Sequence, residues 1–231
     1  MYDVYYGIRK IGALDKLMFI NIGDNIILAG RLWKIKDIDL KRNRVYVEKS
    51  VDGKLPQYIG GGSKIHKRIG EKIMEILTTD TNYSYLDEKA AKTLEGLRKP
   101  YHHYEVQKND RIIWKDNEYM IIETFTGTTI TNTLVWMLRA LGVDVKQQDA
   151  LGRITTPLFT DIQKILEEII TKKWKVGELL KVTREHEKFV SKYSRFLPKD
   201  LQEEMHINHE IDITGAKEFL NSINFRVINI Q

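Results

Sequence analysis

Between Gly23 and Asp39 the chain reads GDNIILAGRLWKIKDID, two short apolar runs around a tight Gly30-Arg31 turn. The second run sets Trp33 and Ile35 on one side and Lys34 and Lys36 on the other, the period of two that belongs to a strand. A strand with one apolar face must bury that face against another layer, so this stretch commits the front of the chain to a sheet. Residues 2–8, 26–29, 32–38 and 44–48 are strand candidates, and Gly12, Gly23-Asp24, Gly30 and Lys41-Arg42-Asn43 supply turns. Strands this short and this closely spaced predict a small β-barrel or curled sheet over residues 1–62.

Gly60-Gly61-Gly62-Ser63 ends that pattern. Ser63 is a candidate N-cap, and Ile65, Ile69, Ile73, Ile76 and Leu77 follow at helical spacing. A second helix opens with Asp87 as N-cap and is expected to end before Pro100, whose ring opposes continuation. Residues 111–115 and 118–125 flank Asp116-Asn117 as a hairpin. The Thr126-Gly127-Thr128-Thr129 loop leads into a helix over 131–141, stopped by Gly142. Strands at 143–147 and 153–156 complete a module of helices and mixed α/β structure over 63–156. From 157 to 231 the chain reads as mainly helical (161–171, 176–181, 185–193, 199–204 and 216–220), with a last strand at 225–230, packing on the same body. The fold class is α+β: a curled sheet or small barrel in front, then a mixed α/β and helical bundle module.

Net charge is +5, yet residues 31–72 hold 12 Lys or Arg against 5 acids. A basic window on a nearly neutral body is the footprint of a polyanion contact, or of a solvated strand face whose lysines guard its edges. The absence of cysteine excludes disulfides and thiolate metal sites and fits a cytoplasmic protein. No run approaches the ~20 apolar residues of a membrane helix, and the first residues lack the basic-then-apolar pattern of a secretion signal. No membrane partner is expected.

Four ordered segments carry a family resemblance. They are Gly23 to Asp39, with its Gly-Arg-x-Trp; Pro56-Gln57-Tyr58-Ile59-Gly60-Gly61-Gly62; Thr124 to Leu134 running into Met137-Leu138-Arg139-Ala140-Leu141-Gly142; and Phe196-Leu197-Pro198-Lys199-Asp200-Leu201 with Asp212-Ile213-Thr214-Gly215-Ala216. Together they resemble the β-barrel and helical region that follows the winged helix in the Lhr (large helicase-related) family of superfamily-two, DEAD/DEAH-box ATP-dependent helicases. The resemblance implies a non-catalytic C-terminal accessory region. It would hold single-stranded nucleic acid, DNA in preference to RNA, and pack against the family's RecA-like and winged-helix domains. ATP and Mg belong to those motor domains, and no cofactor is expected of this chain. Gly7 to Gly12 has the glycine spacing of a phosphate loop, but Ala13-Leu14 follows in place of Lys-Ser/Thr, and no DEAD- or DEAH-like box is present. No enzymatic activity is therefore expected of these residues.

Phosphate contacts are expected from Arg31 in the turn and from Lys34 and Lys36 on the outward strand face. Lys64, Lys67 and Arg68 follow the glycines at a helix start, a place that suits a phosphate and reads equally as a plain loop-to-helix junction. Thr128 and Thr129 offer hydroxyls and amides at a second helix start, where capping accounts for Thr131 and Asn132 just as well. Trp33 either packs in the core or stacks on a base. On helix 131–141 the apolar face is Leu134, Met137, Leu138 and Leu141. Trp136 falls nearly opposite, beside Asn132 and Arg139, to be covered by a second layer, by a missing domain or by a base. The histidines of His102-His103 and His206-Ile207-Asn208-His209 read as surface residues rather than metal ligands, and no nucleophile–base set stands out. The alternative function is a protein-interaction scaffold that docks to the motor domains or another partner.

Overall fold

The computed structural model describes residues 1–15, 20–51, 64–149, 151–158, 161–191 and 193–230; Pro56 to Gly62 and the candidate cap Ser63 lie outside them. The chain divides into two compact units, Met1–Gly61 with Ser191–Phe196, and Gly62–Val190 with Leu197–Gln231. The class is α+β, with a curled half-barrel sheet followed by helices.

The front sheet contains β1 (Tyr2–Tyr6), β2 (Arg9–Leu14), β3 (Asn25–Leu28), β4 (Arg31–Asp39) and β5 (Arg44–Lys49), in the order β2-β1-β5-β4-β3. β1 runs antiparallel to β2 and parallel to β5. The alternation works as physics requires: Val4, Leu14, Ile26, Trp33, Ile35, Val45 and Val47 form one buried cluster. Trp33 lies 5.0 Å from the Tyr6 ring and donates its indole N–H to the Leu28 carbonyl at 3.0 Å, so it is a core residue. β2 corrects the sequence reading, which took Gly12 for a turn. Gly12 is a strand glycine, and a Cβ there would lie 2.8 Å from the Leu28 side chain. The β3–β4 turn is Ala29-Gly30, with φ of 51° and 71°. Two successive left-handed residues match the twist of a two-residue hairpin, which makes Arg31 the first residue of β4 rather than part of the turn.

The second unit comprises α1 (Lys67–Thr78), α2 (Glu88–His103), β6 (Asp110–Lys115), β7 (Tyr119–Glu123), α3 (Thr128–Ala140), β8 (Gln147–Gln148), β9 (Arg153–Pro157), α4 (Ile162–Thr171), α5 (Val176–Val182), α6 (Lys199–Glu210), α7 (Ile213–Ser222) and β10 (Asn224–Asn229). Its sheet runs β10-β6-β7-β9-β8, with β10 parallel to β6. Successive residues of β6 face opposite ways. Ile113 enters the large core with Met120, Ile122, Ile154 and the α3 residues Leu134, Met137 and Leu138. Ile112 enters a second cluster with Met74 and Leu77 of α1, Tyr101, Phe125 and Ile228.

Several boundaries differ from expectation for identifiable reasons. α2 runs through Pro100. The amide that proline lacks would have faced Gly96, which is exposed and leaves its carbonyl to water. Beyond it, buried Tyr101 donates its hydroxyl to Glu123 at 3.1 Å and holds the last turn in place. The described residues of 185–193 do not form an α-helix; they contain the 3-10 turn Glu185–Lys188. Of the expected strand at 143–147, only Gln147–Gln148 joins the sheet. Among the described residues no helix is long and apolar enough to cross a membrane.

Candidate nucleic-acid interface

Two helix starts, remote in sequence, meet in the second unit. Thr128 opens α3 and clamps Ile65: its hydroxyl accepts from the Ile65 amide at 2.9 Å, and its own amide donates to the Ile65 carbonyl at 2.9 Å. That pairing keeps Ile65 extended, so α1 begins at Lys67 with His66 as N-cap, the imidazole Nδ1 accepting from the Arg68 amide at 3.3 Å. Glycines make the approach possible. A Cβ at Gly127 would lie 2.8 Å from the Lys67 nitrogen, and one at Gly70 would lie 2.2 Å from the Phe125 carbonyl oxygen. Phe125 itself is left-handed, with φ of 42°, which turns the chain out of β7 and aims its carbonyl at α1. Gly70→Ala is expected to cost about 1–3 kcal/mol by overpacking against backbone. Urea unfolding checks this, and an unchanged midpoint would contradict the close contact.

The junction is electropositive. α3 has Gly127 as its N-cap and so no side-chain cap, and the Thr129 and Ile130 amides donate no hydrogen bond among the described residues. Each helix N-terminus carries about half a positive charge. Lys67 and Arg68 stand exposed on the first turn of α1, and neither makes an ion pair among the described residues. Lys67, Arg68, Thr128 and Thr129, separate candidates in the sequence, are therefore brought together.

A cleft of about 430 Å³ runs from this junction along α3. Its wall holds Thr128, Asn132, Trp136 and Arg139 of α3, with Gln147 and Gln148 of β8 and Arg184 and Glu187 closing the far end. Glu187 organises that end: its carboxylate accepts from the Trp136 indole at 3.2 Å, from Arg139 Nη1 at 2.8 and 3.0 Å, and from the Arg184 amide at 2.9 Å. Burial pushes the Glu187 carboxyl upward; the bonds from Arg139, the Arg184 amide and Trp136 outweigh it, and the net shift is down. Arg139 Nε is buried without a partner.

Some expected contacts are used internally instead. Lys64 donates to the His209 carbonyl and pairs with Glu210 at 2.9 Å, so its ammonium sits at the C-terminal end of α6, where a helix attracts cations. Trp136 is only 2% exposed, covered by Glu187 and by His206, whose ring lies 4.8 Å away. The second layer therefore covers it, and it offers no face to a base. His206, expected at the surface, is fully buried. In the front unit Lys36 pairs with Glu48 at 3.3 Å, Lys34 stands half-buried opposite Glu48 and Asn25, and Arg31 is exposed.

Arg184, Glu187, Gln147 and Gln148 were missed because no spacing rule links residues 128–139 to 147–148 and 184–187. The Arg184-x-x-Glu187 spacing across a turn was the one available signal. The front unit adds a second unforeseen group: Tyr5 and Tyr46 face outward 5.9 Å apart, with Arg44 over the Tyr5 ring at 5.0 Å. Among the described residues no group of three His, Asp or Glu is placed to hold a metal. No family model matches the chain, and neither a curated protein nor a solved structure matches it.

Proposed function

We propose that this chain is a non-catalytic accessory region of an Lhr-like ATP-dependent helicase that holds single-stranded nucleic acid beside the motor domains. The observation that supports it most is the meeting of two helix N-termini beside the exposed cations Lys67 and Arg68. Free first-turn amides and fixed positive dipoles suit a phosphate oxygen, and the neighbouring cations extend the attraction along a backbone. The resemblance of the four sequence segments supplies the rest of the reading: a DNA strand in preference to RNA, and RecA-like and winged-helix domains as partners that bring ATP and Mg.

Fluorescence anisotropy with a single-stranded oligonucleotide tests the phosphate claim. Affinity is expected to fall linearly with salt on logarithmic axes, with a slope of about −0.7 for each phosphate neutralised. Replacing Lys67 and Arg68 together with alanine should flatten that slope by about 1.4 and weaken binding alike for all sequences. Binding that ignores salt, or a double variant indistinguishable from the parent, refutes the proposal.

One observation favours the second reading, a docking scaffold. α2 buries only Tyr101, and the groove between it and α1, about 540 Å³, exposes Tyr85 and Leu97 beside Tyr83, Leu86 and Leu94. Apolar area of this kind marks protein contact. Co-purification of the motor domains with the chain, abolished by Leu97→Asp and indifferent to added nucleic acid, would favour it.

A further inference from the structure

We infer that the cleft along α3 takes one unstacked nucleobase from the bound strand; this rests on the reading of the chain as a single-strand binder. The cleft volume of about 430 Å³ lies within the range of small-ligand sites, and its chemistry changes from one end to the other. At the junction end the first-turn amides of α3 attract anions; Asp149, which also lines the cleft, has its carboxylate paired with Arg153 at 2.6 Å. Deeper in, the wall becomes neutral amide. Gln148 Nε2 donates to Asn132 Oδ1 at 2.6 Å, which fixes the two side chains against each other.

That bond leaves the Asn132 amino group and the Gln148 carbonyl oxygen without partners among the described residues, a donor and an acceptor held on one wall. Neutral donors and acceptors of this kind read a base edge; a phosphate asks for donors alone.

Two further features fit the same occupant. Asn132 lies four residues beyond Thr128, one helical turn and about 6 Å along α3, so a strand whose phosphate rests at the junction reaches the amides with the base of the same nucleotide. At the closed end the Arg184 guanidinium has no ion pair among the described residues, and Arg139 keeps a buried, unpartnered Nε. Trp136, locked by Glu187 and His206, backs that end from beneath without offering its ring to the occupant. Recognition comes from the amide edge and not from stacking on an exposed aromatic ring.

The test compares a single-stranded DNA of about 12 nucleotides with an abasic strand of the same length, which keeps every phosphate. Both are titrated against the parent chain and against a variant carrying Asn132→Ala and Gln148→Ala. The parent is expected to bind the abasic strand roughly tenfold more weakly. In the variant that difference should shrink towards none, while its affinity for the abasic strand and its salt slope match the parent. An equal loss in both proteins, or no loss in either, overturns the nucleobase site and leaves phosphate binding standing. Failure of the parent to bind either strand overturns the single-strand reading and this inference with it. A flattened salt slope in the variant would mean that the two amides support the phosphate junction, which also overturns the inference.

Discussion

Trp136→Ala is expected to destabilise the second unit by about 3–5 kcal/mol, the range for truncating a large buried aromatic residue. The indole is only 2% exposed and belongs to the largest core cluster. Its loss leaves a cavity beneath His206 and deprives the Glu187 carboxylate of a donor that holds it against Arg139. Hydrogen bonds to a charged group contribute roughly 1.5–3 kcal/mol, so Trp136→Phe, which keeps the ring and removes the donor, should fall about midway. Urea unfolding at neutral pH with an unchanged slope is the measurement. A loss below about 1 kcal/mol for the alanine variant would mean that the packing around α3 is misdescribed.

Acidification from pH 6.5 towards 4 should cost about 3 kcal/mol through one residue, His206. The imidazole is fully buried, and neither ring nitrogen has a partner among the described residues. Burial pulls its pKa down to about 4; Glu187 and Glu203 oppose that shift, while Lys188 and Lys64 reinforce it. Because the folded value is depressed, the unfolded chain takes up the proton first. The stabilisation is complete above the ordinary histidine range and is lost as pH falls through it to about 4. The lowered Glu187 carboxyl adds a further loss at lower pH, as its own bonds are titrated away. His206→Phe keeps a ring against Trp136 and has nothing to protonate. It should abolish the pH dependence between 6.5 and 4 and leave stability at pH 7 equal or higher, since no buried polar atom is left unsatisfied. A variant that retains the acid slope would place its origin elsewhere.

Much of the architecture was legible because local chemistry and tertiary packing agreed. Asp87 caps α2 as expected, accepting from the Ala90 amide; Asp161 and Asp212, not expected as caps, accept in the same way from amides three residues on. The period of two at Trp33 and Ile35 gave the buried face of β4. Legibility failed where a distant contact overrode the local signal. Gly12 looked like punctuation, although it makes room for Leu28. Pro100 looked like a stop, but Tyr101 is anchored on Glu123. The candidate cap Ser63 preceded a segment that Thr128 keeps extended through Ile65. The interface was legible in parts: helix starts, threonines and cations could be named singly, whereas their convergence and the Arg139–Glu187 clamp depend on packing across 48 to 63 residues of chain.

The parallel pairing of β10 with β6 bears on how the molecule assembles during synthesis. Asn224 bonds Asp110 across 114 residues, so the last sheet partner is translated long after the strand it must find. Until β10 is made, β6 lacks its partner along one edge, and the cluster around Ile112 lacks Ile228. Such long closures slow folding and lengthen exposure. Refolding rates should therefore be more sensitive to substitutions in β6 and β10 than to equally destabilising ones in the local α1–α2 hairpin.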